Sequence, residues 1–270
     1  MTSSIVTTEY VKLTISDGTQ MQAYVPRPKG EGKFPGIMVF QEAFGVNAHM
    51  RDVSERFASK GYVAIAPELY HRTAARGWEG NYTDFPSVMP HMQAIKEETL
   101  STDVRATYEW LTSASQVDKN ATACVGYCMG GRVSFLANAL VPVKAAISYY
   151  GGGIAPGQRG PGLLSHVPEM HGAMLLCWGG LDQHIPKAET LAVADALKNA
   201  KKTYVHVEFS DADHGFFCDA RPSYNPQAAA ESWALTHAFL ADHLGIHAVP
   251  SVLFHVVEST SNPLTVTAAV

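Results

Sequence analysis

Three short segments carry residues able to do nucleophilic chemistry. "ACVGYCMGGRV" (123–133) sets Cys128 between glycines, where an apolar run gives way to a helical stretch. Glycines on both sides let a strand turn sharply into a helix with the two backbones close together. Such a turn lifts the cysteine above a sheet at the positive end of a helix, which favours the thiolate. The N–H of Met129, the next residue, then faces the oxygen on which charge develops during acyl transfer. "LLCWGGLDQHIP" (175–186) places Asp182 just past a second apolar run, and "VEFSDADHGFF" (207–217) places His214 after a third. A thiolate, an imidazole that moves its proton and a carboxylate that orients the imidazole are the parts of a catalytic triad.

Alone, the glycine-flanked cysteine is equally a tight turn around a buried structural thiol. The other two segments change that reading. All three residues fall at the carboxyl ends of predicted strands, where the functional groups of an open α/β sheet gather. Their chain order, nucleophile then Asp then His, is that of the α/β-hydrolase triad.

The elements that must position these residues follow from apolar periodicity. "YVKLTISDGTQMQAYVPRP" reads as a hairpin about an Asp-Gly turn. "FPGIMVFQEAFG" and "YVAIAPELY" are buried strands flanking the helix "HMRDVSERFASKG", which Gly61 ends. Residues 72–89, rich in Gly, Pro and aromatics, read as a long loop of the kind that often carries function. A helix over 92–113, a strand ending at Tyr127 and a helix over 130–140 come next. The strand "KAAISYY", a strand through Cys177, a helix over 186–200, the strand "TYVHVEFS" and a helix through Leu244 complete the series. Strands alternating with helices predict an α/β protein with a mostly parallel central sheet and helices on both faces. Residues 1–245 form one domain. The remaining 246–270 are a C-terminal extension that fits an added strand, a docking segment or a subunit contact.

Composition narrows the function classes. The 270 residues are 46% hydrophobic and 17% charged, as in an ordinary globular enzyme, and the net charge of −5 gives no basic stripe for nucleic acid. No run of eighteen apolar residues predicts a membrane span, and the N-terminus lacks a signal core. Four cysteines without an export signal are expected to be reduced thiols in a cytoplasmic protein. None of His166, His171, His184 and His206 has the i, i+4 spacing of a metal pair, so no metal is expected, and "YYGGGI" (149–154) lacks the order of a nucleotide loop.

On the segments "QEAFGVN", "PELYHR", "GYCMGGR", "WGGLDQHIP" and "DADHGF…ARPSYN", residues 10–243 resemble the dienelactone hydrolases (carboxymethylenebutenolidases), α/β-hydrolases with a cysteine nucleophile. The resemblance implies an acyl-transfer hydrolase of a small ester or lactone, with no cofactor. It implies that Glu42 contacts the thiol and holds it unreactive until substrate arrives. It also implies that Ala43 supplies the second oxyanion N–H, and that Arg72 binds a substrate carboxylate. The family's second arginine, four residues after the histidine, is here Cys218. Arg221 either replaces it or holds the helix-entry turn "RPSYN".

Three other readings stay open: a broad esterase for small neutral esters, a non-catalytic ligand-binding protein on the same fold, and a thiol sensor using Cys124 and Cys128. Self-association is also open. Trp78, Tyr82 and Phe85 form either an aromatic wall over the site or plain loop packing.

Overall fold

In a computed structural model, residues 5–157 and 160–246 are described; the extension read over 246–270 lies, beyond Ile246, outside them. The Asp-Gly hairpin is present as β1 (Val6–Thr14) and β2 (Gln20–Pro28), paired antiparallel. The buried runs become β3 (Phe34–Phe40), β4 (Val63–Pro67), β5 (Val117–Tyr127), β6 (Ala145–Tyr149), β7 (Ala173–Gly179) and β8 (Tyr204–Phe209). They form one eight-stranded sheet in the order β1-β2-β4-β3-β5-β6-β7-β8. The β2–β4 pairing is antiparallel, and every pairing from β4 to β8 is parallel.

Helices α1 (Ala48–Ser59) and α6 (Pro226–Leu244) cover one face, meeting where Phe57 packs on Trp233 with ring centroids 4.7 Å apart. Helices α3 (Glu97–Ser113) and α4 (Met129–Leu140) pack on the sheet and on each other on the opposite face, and α5 (Lys187–Asn199) follows β7. The spacing of buried residues in α1 (Met50, Val53, Ser54, Phe57) gives the apolar stripe of a helix lying on a sheet. Phe57 is fully buried, and burying such a side chain contributes roughly 2–3 kcal/mol. Because β3, β5, β7 and β8 run parallel, their carboxyl ends share one edge. Residues 42, 128, 182 and 214 all lie just past those ends.

One predicted element differs. The expected loop over 72–89 and helix over 92–113 are instead a shorter loop, a helix α2 (Phe85–Ala94) and the separate α3. Two prolines make 85–94 look like loop, but Pro86 lies in the first turn, where an N–H has no intrahelical acceptor. Pro90 removes just the bond to the Pro86 carbonyl four residues back. The break falls at Ile95, whose backbone is extended (φ −70°, ψ 120°).

The strand-to-helix turn at Cys128 depends on backbone contact. A Cβ built on Gly126 would lie 1.7 Å from the Gly130 carbonyl oxygen, and one on Gly130 would lie 2.2 Å from the Phe40 oxygen. Neither neighbour is a side chain that can swing away. Gly126→Ala is therefore expected to destabilise the fold by about 3 kcal/mol in urea unfolding. Gly157, around which no atom lies within 4 Å of the added carbon, is the control. Gly157→Ala should change stability by less than about 0.5 kcal/mol.

Candidate active site

Cys128 is the junction residue between β5 and α4, with φ 54° and ψ −116°. A non-glycine residue there is strained by roughly 1–3 kcal/mol and persists because its surroundings over-determine it. Its N–H donates to the Tyr149 oxygen at 3.0 Å, and its carbonyl accepts from Gly131 N at 3.0 Å. The strained backbone turns the side chain toward His214: Cys128 Sγ lies 3.1 Å from His214 Nε2. On the other side of the ring, His214 Nδ1 lies 2.7 Å from Asp182 Oδ2. The other Asp182 oxygen accepts from His184 N at 2.7 Å, so the carboxylate is fixed at both ends. The three residues predicted from sequence are thus joined in one hydrogen-bonded chain.

Charge within this chain sets protonation. Burial alone would drive a proton off His214, but the charge of Cys128 and the Asp182 carboxylate outweigh it and push the imidazole up to about 10. Burial raises Asp182, yet the hydrogen bond and charge of His214 hold it below the usual carboxylate range. The arrangement keeps the imidazole protonated between the sulfur and the Asp182 carboxylate.

A cavity of about 610 Å³ opens over Cys128 and His214. Ala43 and Met129 line it beside the thiol. Met129 is the first residue of α4, so its N–H has no acceptor within the helix. The Tyr70 hydroxyl donates to the Ala43 carbonyl at 2.9 Å and lies 3.4 Å from Met129 Sδ, tying the two loops together. Sequence reasoning did not single out Tyr70, although it stands in the quoted "PELYHR". It also treated His184 as structural. His184 lines the cavity, its ring edge-on to His214 at 5.3 Å. Tyr82 and Phe85 form part of the wall together with Phe44, Met89 and Met92 of the α2 region. Trp78 packs behind them against Tyr70 and His91.

The two arginines have different surroundings from those the resemblance implies. Arg72 does not line the cavity. Its guanidinium makes a two-pronged contact with Asp103 (2.7 and 2.8 Å) and reaches Asp17 at 2.7 Å. The space beside it is about 20 Å³, room for roughly one water. Arg72 thus joins the β1–β2 turn to α3 and stands outside the cavity over Cys128. Arg221 does line the cavity, and it is the one Arg or Lys among the described lining residues. Its guanidinium rests on Gly215, where an added Cβ would lie 2.2 Å from Nη1, and it sits 3.5 Å from Glu42 Oε1.

Glu42 is fully buried. Its Oε1 accepts from the Tyr150 hydroxyl at 3.3 Å, and Oε2 has no partner among the described residues. The thiol faces His214, and no hydrogen bond joins Glu42 to Cys128 among the described residues. Cys124 is fully buried, its thiol 3.3 Å from the Ser134 hydroxyl, and burial pushes it up to about 12. That removes the basis for a thiol sensor. The expectation of no metal rested on histidine spacing along the chain, but the fold brings His49, Cys218 and Asp219 together from distant segments.

The protonation pattern is directly measurable. In NMR titration, the His214 imidazole should titrate well above 6.5. Both Cys128→Ala and Asp182→Asn should lower its pKa, because each removes a negative neighbour. An imidazole titrating near 6.5 in all three proteins would contradict the ion-pair description.

Comparison with known proteins agrees with this architecture. Residues 21–244 match the family described as "Dienelactone hydrolase family". A Synechocystis protein named "Putative carboxymethylenebutenolidase" is 38% identical over 221 residues, covering 79% of this chain and 88% of that protein. An Escherichia coli K12 protein of the same name is 33% identical over 223 residues, covering 81% of each chain. A solved structure titled as a "Putative Dienelactone Hydrolase" from Klebsiella pneumoniae superposes with a TM-score of 0.77 at 31% identity. That match covers 87% of this chain and 99% of the other. The chain therefore belongs to the dienelactone hydrolase family, α/β-hydrolases that act on small esters and lactones.

Proposed function

We propose that this protein hydrolyses a small, carboxylate-bearing ester or lactone by acyl transfer through Cys128. The observation that carries this reading is the hydrogen-bonded chain from Cys128 through His214 to Asp182 at the floor of the cavity. The thiolate attacks the acyl carbon, and the carbonyl electrons move onto oxygen, facing the backbone N–H groups of Met129 and Ala43. As the carbonyl re-forms, the C–O bond to the alcohol or enolate breaks and the His214 imidazolium gives that oxygen its proton. The imidazole, now neutral, takes a proton from water. The resulting hydroxide attacks the thioester, and the thiolate leaves beside a regenerated imidazolium. Thiolates leave easily, which suits esters and lactones and disfavours amides. In this scheme Glu42 restrains Arg221 between turnovers.

Arg221 is the group on which the anionic specificity rests, since a guanidinium can donate two parallel hydrogen bonds to a carboxylate. A second reading, a broad esterase for neutral esters, is favoured by two features. Glu42 already neutralises Arg221, and the wall of Phe44, Phe85, Met89 and Met92 is apolar.

Cys128→Ala should lower kcat about 10⁴-fold on every ester. Arg221→Ala should lower kcat/KM about 10- to 100-fold for a carboxylate-bearing ester, with a neutral p-nitrophenyl ester changed less than about threefold. Equal loss on both esters would favour the neutral-ester reading. Retained activity in Cys128→Ala would sink the cysteine mechanism. Arg72→Ala should leave KM for the anionic ester unchanged. It should also destabilise the fold by about 3 kcal/mol, because the buried Asp103 then loses its guanidinium partner.

A further inference from the structure

Three donor groups that the mechanism does not use meet where the turn after His214 packs on the first turn of α1. Cys218 and Asp219 belong to that turn, and His49 is the second residue of α1. One ligand atom from each lies within 4.8 Å of the other two. A thiol, an imidazole and a carboxylate are the ligand types of Zn²⁺ and of other borderline-soft divalent ions.

The imidazole packs edge-on to Phe217, but its nitrogens are poorly used where it stands. The His49 side chain is 4% exposed, and its Nε2 has no hydrogen-bond partner among the described residues. Its Nδ1 lies 3.6 Å from Asp219 Oδ1, too far for a hydrogen bond. A buried ring left in this state is destabilising, and a ligand bound at one nitrogen would satisfy that nitrogen. The Cys218 thiol is also buried, against the Tyr82 hydroxyl at 3.3 Å. Burial and the nearby Glu42 push it up to about 11, so it is poorly suited to act as a free nucleophile. A coordinating metal ion removes that proton itself. The Asp219 carboxylate is 73% exposed and offers an approach from solvent.

The frame around these donors is well held. Asn47 caps α1 by accepting from Met50 N, and its amide also donates to the Tyr82 hydroxyl at 2.8 Å. Cys218 N and Arg221 N are bonded within the turn at 3.0 and 3.1 Å. Donor atoms around a tetrahedral zinc stand roughly 3.3–3.8 Å apart, so closure of the trio needs movements of about 1 Å. The exposed Asp219 can supply much of that movement.

We propose that His49, Cys218 and Asp219 form a binding site for one divalent cation of the zinc class, with water as the fourth ligand. On binding, the Cys218 S–H proton passes to solvent and a sulfur–metal bond forms. Thiolate and carboxylate together balance the two positive charges, and His49 binds as a neutral imidazole.

Co²⁺ alone is a suitable probe, because thiolate ligation gives it a near-ultraviolet charge-transfer band. Titration of the full chain should give one Co²⁺ per chain with that band. The band should be retained in Cys128→Ala and absent in Cys218→Ala. His49→Gln and Asp219→Asn should each weaken binding at least about tenfold, as loss of a ligand does. Zn²⁺ should raise the Tm of the wild type and not that of Cys218→Ala. Should Cys218→Ala fail to fold, the solvent-exposed Asp219→Asn still decides the matter, and unchanged affinity in it would overturn the site. So would a band kept in Cys218→Ala but absent in Cys128→Ala, which would place the ion at the nucleophile, or no thiolate band at millimolar Co²⁺.

Discussion

The bent backbone at Cys128 is the constraint on which the site depends. Its φ of 54° turns the thiol away from the axis of β5 and toward His214. That conformation is unfavourable in isolation and is held by the contact of β5 with α4. Gly126 touches the Gly130 carbonyl, and Gly130 touches the end of β3. Position, strain and reactivity therefore have one origin. Met129, the first residue of α4, and the Ala43 loop line the same cavity as the sulfur. Tyr70, reaching from the end of β4, fastens that loop at its carbonyl. In the proposed mechanism the oxyanion donors are backbone N–H groups, so no flexible side chain has to order as charge develops.

Electrostatics then divides the cavity. At its floor, Cys128, His214 and Asp182 form one hydrogen-bonded chain in which the imidazole pKa is raised and the carboxylate pKa lowered. At one side, Arg221 and the buried Glu42 face each other at 3.5 Å, longer than a good charge-assisted hydrogen bond. A guanidinium held this loosely can shift toward an incoming carboxylate. The α2 wall of Phe85, Met89 and Met92 is apolar. Low local polarity strengthens each charge interaction inside the cavity.

Much of this was legible in the sequence, and the reason is local. Strand ends, helix starts and the glycine-flanked turn are written in short windows, so Cys128, Asp182 and His214 could be placed on one sheet edge before any coordinates. What was not legible concerns long-range partners. Arg72 looked like a free cation because Asp17 and Asp103 lie 55 and 31 positions away in the chain. His49 sits about 170 residues from Cys218, so their meeting has no spacing signature. Helix α2 was hidden by Pro86 and Pro90, residues that argue for a loop unless their position within the first turns is known. Tyr70 and His184 stood in plain view beside recognised motifs, but their roles come from where the loops converge.

The covalent step distinguishes cysteine catalysis from any general-base scheme on the same residues. Rapid acid quenching of wild-type protein with a slow ester, followed by peptide mass spectrometry, reads it directly. An acyl mass added to the peptide carrying Cys128, forming and decaying at rates compatible with turnover, is the expected result. Full turnover with no acyl adduct on that peptide, or an adduct confined to another cysteine such as Cys218, would contradict the assignment of Cys128 as the nucleophile.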